Sequence, residues 1–182
     1  SSPGVRSWRS YRSRFIEPKR LKAGLTFWQQ HGATLARAEA HYGVPAEIIA
    51  SIIGIETIYG RNTGKFQTFS ALTTLAFDYP PRAELFRKEL EALLLLARDE
   101  HLPVFAYRGS YAGALGLPQF LPSSTRNWAV DFNGDNSVDL NNADDAIGSV
   151  ARFLAEHGWE KDGPVLVAAN ATDDVAAPLL AE

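Results

Sequence analysis

Neither cysteine nor methionine occurs among the 182 residues. The first absence excludes disulfides, thiolate metal sites and cysteine nucleophiles, although it does not by itself assign a compartment. The second, with a first residue that is not methionine, suggests a processed form or an excised piece, from which a targeting segment could have been lost. No apolar run approaches the roughly 18 to 20 residues that cross a bilayer, so the chain reads as soluble. No basic tract stands out either: the formal net charge is -3 and the cations are scattered or gathered near the N-terminus, which excludes an electrostatic footprint for nucleic acid. What the chain does have is 46% hydrophobic content, enough to bury the core of one domain.

Periodicity points to a mainly α-helical domain. Pro18 opens a helix that runs to about Tyr42 before Gly43, with Leu21, Leu25, Trp28, Leu35 and Ala38 as its expected apolar stripe and Gly24 and Gly32 weakening the middle. Pro45 opens a second helix toward Gly60, whose expected apolar face is Ile48, Ile49, Ile52 and Ile53. Short and long helices follow at Ser70 to Phe77 and Arg82 to Glu100, and a final one at Ala143 to His157 with Ile147, Val150, Phe153 and Leu154 inward. Between them, GSYAGALGLPQFLP at Gly109 to Pro122 is too rich in Gly and Pro for a long helix but largely apolar, and reads as a buried, structured loop. No repeat and no β-hairpin signal is visible. The organisation expected is one domain over residues 1–165 and an Ala-rich tail or remnant of a further subdomain over 166–182.

One residue breaks the pattern. Glu56 follows Ile52 by four positions, Ile53 by three and Ile49 by seven, which places a carboxylate on the apolar stripe. Burial disfavours the charged form, so such a glutamate can hold its proton near neutrality and donate it to a leaving oxygen. The same residue at a helix end could instead pair with Arg61 or meet a hydroxyl, and position alone leaves both readings open.

The segment IIGIETIYGRNTG at Ile52 to Gly64 resembles the signature of the MltB-type lytic transglycosylases, whose catalytic glutamate stands in a G-x-E-T context matched here by Glu56. GSYAGALGLPQFLPSS at Gly109 to Ser124 is similar to that family's active-site loop, and YRSRFI at Tyr11 to Ile16 and DFNGDNSVDL at Asp131 to Leu140 extend the likeness. The resemblance implies a lysozyme-like fold related to goose-type lysozyme, and cleavage of the MurNAc-β-1,4-GlcNAc bond of peptidoglycan to 1,6-anhydroMurNAc ends. It further implies one glutamate as acid and then base, glycan strands as the partner, a periplasmic or envelope-associated site of action, and possible contacts with cell-wall synthesis or remodelling proteins. A monomer is expected. Ser110 and Gln119 match positions that hydrogen-bond the reacting sugar, and Phe120, Tyr111 and Tyr11 are candidate sugar walls, with Arg82 a candidate for a stem-peptide carboxylate. Without the family, Ser110 would read as a cap and Gln119 as a partner for loop backbone. Two departures stand out: Leu115, Leu117 and Leu121 occupy positions where the family carries methionines, and no R-Y-N motif follows the HGW at His157 to Trp159.

Asp131, Asn133 and Asp135 alternate as positions one, three and five of an EF-hand-like calcium loop, with the Ser137 carbonyl at seven. The pattern departs from the standard by Asn136 at position six and Asn142 at twelve; the family's longer loop implies Asp145 as the closing ligand. Asn136 tolerates the left-handed conformation that position six demands. An Asx-rich turn capping the next helix is the alternative. Calcium would be structural, and the chemistry itself would need no cofactor.

Overall fold

The computed structural model of this chain describes residues 18–159. Among the described residues six α-helices carry the fold: α1 (Pro18–Tyr42), α2 (Ala46–Thr57), α3 (Thr68–Asp78), α4 (Ala83–Asp99), α5 (Pro122–Trp128) and α6 (Ala143–Glu156). One antiparallel ladder, β1 (Phe66–Gln67) against β2 (Arg108–Gly109), pairs Phe66 with Gly109 and Gln67 with Arg108, where no strand pair was expected. Tyr11, the YRSRFI segment and the tail at 166–182 lie outside the described residues.

Helices α1, α2 and α6 enclose the main core, in which Leu35, Val44, Ile49, Ile53, Ile147 and Val150 lose nearly all contact with water. Helices α3 and α4 pack as a pair around Leu72, Phe86 and Leu93. A third cluster, Leu96, Leu115, Phe120 and Leu140, joins α4 to the two long loops. The Gly109 to Leu121 stretch is non-helical and largely buried, as its composition predicted, and is held by bridges from Leu115 to both Gly109 and Phe120.

Helix α1 corrects the expected stripe. Leu21, Leu25 and Trp28 are exposed, and the buried line is Ala23, Phe27, Leu35 and Ala38. Gly24 has a use that propensity hides: a Cβ there would stand 2.7 Å from Tyr59 Oη, so the glycine makes room for that ring. Helix α2 stops earlier than Gly60, because Ile58 (φ 52°) and Tyr59 (φ 57°) already turn left-handed before Gly60 does. A β-branched residue at positive φ is strained and needs surrounding structure to hold it. The short helix α5, whose seven residues are too few to show a period, was not expected; Pro122 stands in its first turn, where a missing N–H costs nothing.

Candidate active site

The buried face of α2 is centred between Ile53 and Thr57, and Glu56 stands about a quarter turn away from it, at 100° per residue. The inward placement expected from spacing is therefore corrected: Glu56 is accessible, flanked by half-buried Ile52 and exposed Ile55. Protein nonetheless crowds one side of the carboxyl, and that desolvation alone raises its pKa above the ordinary glutamate value. Surface accessibility and desolvation agree once Glu56 is seen as a rim group, reachable from outside but robbed of part of its hydration. Among the described residues it has no ion pair and no hydrogen bond, so the alternative of pairing with Arg61 is not realised.

The chain after Glu56 interleaves with the Gly-rich loop. Thr57, fully buried, donates from Oγ1 to the Leu117 carbonyl at 3.0 Å and accepts from the Gly60 N–H at 3.0 Å. Gln119 reaches back the other way, its Nε2 donating to the carbonyls of Thr63 (3.2 Å) and Gly116 (2.8 Å). Gly64 lies so close to Gly109 that a Cβ would meet its carbonyl oxygen at 2.1 Å. Two segments far apart in sequence are thus one unit, with Glu56 at its edge.

The positioning residues carry different equipment than expected. Two carbonyls facing one end of the Gln119 amide require the nitrogen there, so its N–H groups are spent and Oε1, an acceptor, is what remains. Gln119 holds φ 53°, a left-handed conformation that these two bonds help maintain. Ser110 Oγ accepts from the Ala112 (3.3 Å) and Ala114 (3.0 Å) N–H groups, which leaves its own proton to donate. Phe120 is corrected: it is only 8% exposed and packs on Phe153 at 5.4 Å, so its ring belongs to the core rather than to a sugar wall. Tyr111 is exposed. Arg82 ends the 3-10 turn before α4, and its Nη1 is buried without a hydrogen-bond partner. No bond among the described residues joins Arg82 to Glu56 or to the Gly-rich loop.

Residues missed by the sequence reading are Thr57 and Glu89. Buried Glu89 of α4 accepts from the Ser123 N–H (2.9 Å) and hydroxyl (2.6 Å), holding the start of α5. The only sequence signal for it was an acidic residue within a leucine-rich helix.

The acidic loop is organised around its carboxylates. Asp131 accepts from the Gly134, Asp135 and Asn136 N–H groups, and Asn136 takes φ 69°, as position six demands. Asp145 is fully buried; its Oδ1 accepts from Phe132 and Asn133 and its Oδ2 from Asp139. Asn142 caps α6 through the Asp144 and Asp145 N–H groups, so the capping turn is also present. An all-oxygen donor set suits a hard cation such as Ca²⁺. Against it, two N–H groups already occupy Asp145 Oδ1, and no group of three or more acidic or histidine side chains among the described residues converges as a metal cage. Asp131 Oδ1 likewise accepts two N–H groups, and Asn133 Oδ1 and Asp135 Oδ1 one each. Asp131, Asn133, Asp135 and the Ser137 carbonyl therefore suit such an ion by donor type and spacing but do not form a cage, and Asp145 is the clasp that shapes the loop.

Residues 2–181 match the family described as Transglycosylase SLT domain. The chain belongs to that family. As a member of it, the chain is 50% identical over 164 residues to the membrane-bound lytic murein transglycosylase B of Escherichia coli (strain K12), covering 90% of this chain and 45% of that protein. The soluble lytic transglycosylase SltB1 from Pseudomonas aeruginosa has a similar structure, with a TM-score of 0.84, 53% identity, and coverage of 90% of this chain and 56% of that one. The Escherichia coli lytic transglycosylase Slt35 in complex with calcium gives a TM-score of 0.82 at 50% identity, over 86% of this chain and 50% of that one. The chain spans about half the length of these relatives.

Proposed function

We propose that this chain cleaves peptidoglycan as a lytic transglycosylase, with Glu56 as the single acid and base. The observation that carries the reading is a desolvated, uncompensated carboxyl on the rim of the unit that holds the Gly-rich loop, in a chain half identical to a murein transglycosylase. The upward shift favours the protonated form of Glu56, the form that can donate to the glycosidic oxygen of the MurNAc-β-1,4-GlcNAc bond. As the C1–O bond breaks and the GlcNAc side leaves as an alcohol, the sugar's own 2-acetamido oxygen stabilises the cationic C1. The Glu56 carboxylate then takes the proton of the C6 hydroxyl while O6 bonds to C1, giving the 1,6-anhydro ring and restoring the acid. No second protein carboxylate is required, unlike the paired arrangement of most glycosidases.

Ser110 and Gln119 divide the positioning. The free Ser110 proton suits a sugar or acetamido oxygen, and Gln119 Oε1 suits an acetamido N–H or a hydroxyl. Tyr111 offers an exposed ring, and the unpartnered Arg82 Nη1 offers a buried donor for a stem-peptide carboxylate. Calcium, with which the related Slt35 is described, would be held by Asp131, Asn133, Asp135 and the Ser137 carbonyl, and would stiffen the loop rather than take part in bond cleavage. The Escherichia coli relative is by name a membrane-bound murein transglycosylase, which supports a periplasmic or envelope-associated site; among the described residues no helix is long and apolar enough to cross a membrane.

Digestion of purified sacculi by wild type and Glu56→Gln, with mass analysis of the products, tests the reading. Anhydro ends made by wild type alone support it. Reducing ends would make the chain a hydrolytic muramidase, and equal, negligible cleavage by both forms would make it a murein-binding module.

A further inference from the structure

We infer that Thr57 is a positioning residue for the reaction, fixing Glu56 relative to the loop of Ser110 and Gln119 through its hydroxyl bond to the Leu117 carbonyl; this rests on the function proposed above. Glu56 and Thr57 are neighbours at the last turn of α2, and the chain leaves that turn through the strained left-handed Ile58 and Tyr59. Strained residues persist only where the surrounding structure holds them, so the end of α2 calls for ties beyond its own cap bonds. Thr57 supplies one from inside. It is completely buried, and its one hydroxyl meets three backbone groups: the carbonyls of Ile53 at 3.2 Å and Leu117 at 3.0 Å, and the N–H of Gly60 at 3.0 Å.

The Leu117 peptide carries the tie further. While its carbonyl accepts from Thr57, its N–H donates to the Leu140 carbonyl at 2.9 Å, so the catalytic helix, the Gly-rich loop and the acidic loop are joined in series through one residue. Leu117 has little room to shift: Gly60, if given a Cβ, would meet its Cγ at 3.1 Å. Gln119 lies two residues beyond Leu117 and returns to Thr63, six beyond Thr57. Both ends of the closed path thus start beside a group that would touch the sugar, and the hydroxyl is the only side-chain bond from α2 to the loop among the described residues. Since a displacement of about 1 Å can cost on the order of a hundredfold in rate, a bond that sets this separation acts on turnover more than on sugar affinity.

The test compares the whole chain with Thr57→Val, which keeps the shape without the hydroxyl, and Thr57→Ser, which keeps the hydroxyl without the methyl. Anhydro-product formation from sacculi should show kcat falling at least about tenfold in Thr57→Val with KM within about twofold, and Thr57→Ser within about threefold of wild type. Should Thr57→Val not fold, Thr57→Ala takes its place with the same expectation. Equal kcat in wild type and Thr57→Val overturns the inference, as does a Thr57→Ser defect as large as that of Thr57→Val. A carbon-13 NMR titration of the Glu56 carboxyl in the same proteins reads the tie without turnover. A midpoint that falls toward that of ordinary glutamate in Thr57→Val and stays put in Thr57→Ser supports it, and one that moves in neither overturns it. If wild type cleaves no faster than Glu56→Gln, the proposed function fails and the titration still decides the tie.

Discussion

Tyr59 lies across Gly54, one turn of helix before it, so closely that a Cβ on the glycine would stand 2.6 Å from Tyr59 Cζ. Gly24 of α1 makes the other side of the same slot, where a Cβ would stand 2.7 Å from Tyr59 Oη, and the Phe27 ring packs at a tilt against Tyr59 with 5.3 Å between ring centroids. The wedge explains how the strained turn after Glu56 survives: the ring that the left-handed backbone aims inward is clamped between two helices. Gly54→Ala should therefore destabilise by about 1–3 kcal/mol through overpacking, even though alanine favours a helix by roughly 1 kcal/mol. Urea unfolding reads the difference, and a more stable variant would mean the slot is not tight.

Glu56→Gln should cost at least about a hundredfold in cleavage, since an amide neither gives nor takes the proton that general acid and base catalysis requires. Retained helix content by circular dichroism would assign the loss to chemistry. Activity within threefold of wild type would move the acid elsewhere.

The same substitution has a pH-dependent effect on stability. Because the folded pKa of Glu56 lies above its unfolded value, the folded state binds the proton more tightly, and the contribution is fully present below the unfolded value and is lost as pH rises through the folded one. Glu56→Gln, which has no charge to desolvate, should thus melt higher relative to wild type at pH 7 to 8 than at pH 4. Turnover should show the matching alkaline limb, falling as the acid loses its proton. A difference in melting temperature that does not change with pH would contradict the desolvation.

Asp145 is a fully buried carboxylate with a nameable task. Asp145→Ala leaves the N–H groups of Phe132, Asn133 and Asp139 without their acceptor, at about 1–3 kcal/mol for each that water cannot reach. Urea unfolding without added metal should register the loss, and a change below about 0.5 kcal/mol would show that the clasp is not needed.

Calcium should raise the melting temperature of wild type, with about 2.7 kcal/mol gained at a hundredfold excess over Kd, and a chelator should reverse it. Asp131→Ala should abolish the increment. An equal increment in both proteins would place the ion elsewhere.

Much of the helical frame was legible before any coordinates. Pro45 and Gly43 bracket a helix boundary, Ile147, Val150 and Leu154 repeat with a helical period, and Asn136 in a loop of alternating acidic and amide residues announced a left-handed turn. The orientation of α1 was not legible, because Leu21, Leu25 and Trp28 make as good a stripe as Ala23, Phe27 and Leu35 until neighbours choose between them. Glu56 was found for a reason that the fold then revised: its spacing from three isoleucines suggested burial, whereas it stands on the rim.

Residue order alone singled out Glu56 as the candidate acid and the two segments around it, because local spacing and chemical type are properties of the chain. Tertiary structure alone decided that Thr57 meets Leu117, that Gln119 spends its amide on Thr63 and keeps an oxygen, and that Phe120 serves the core. A hydrogen bond between residues sixty apart depends on how helices pack, and no period of 3.6 residues encodes a distance of that kind.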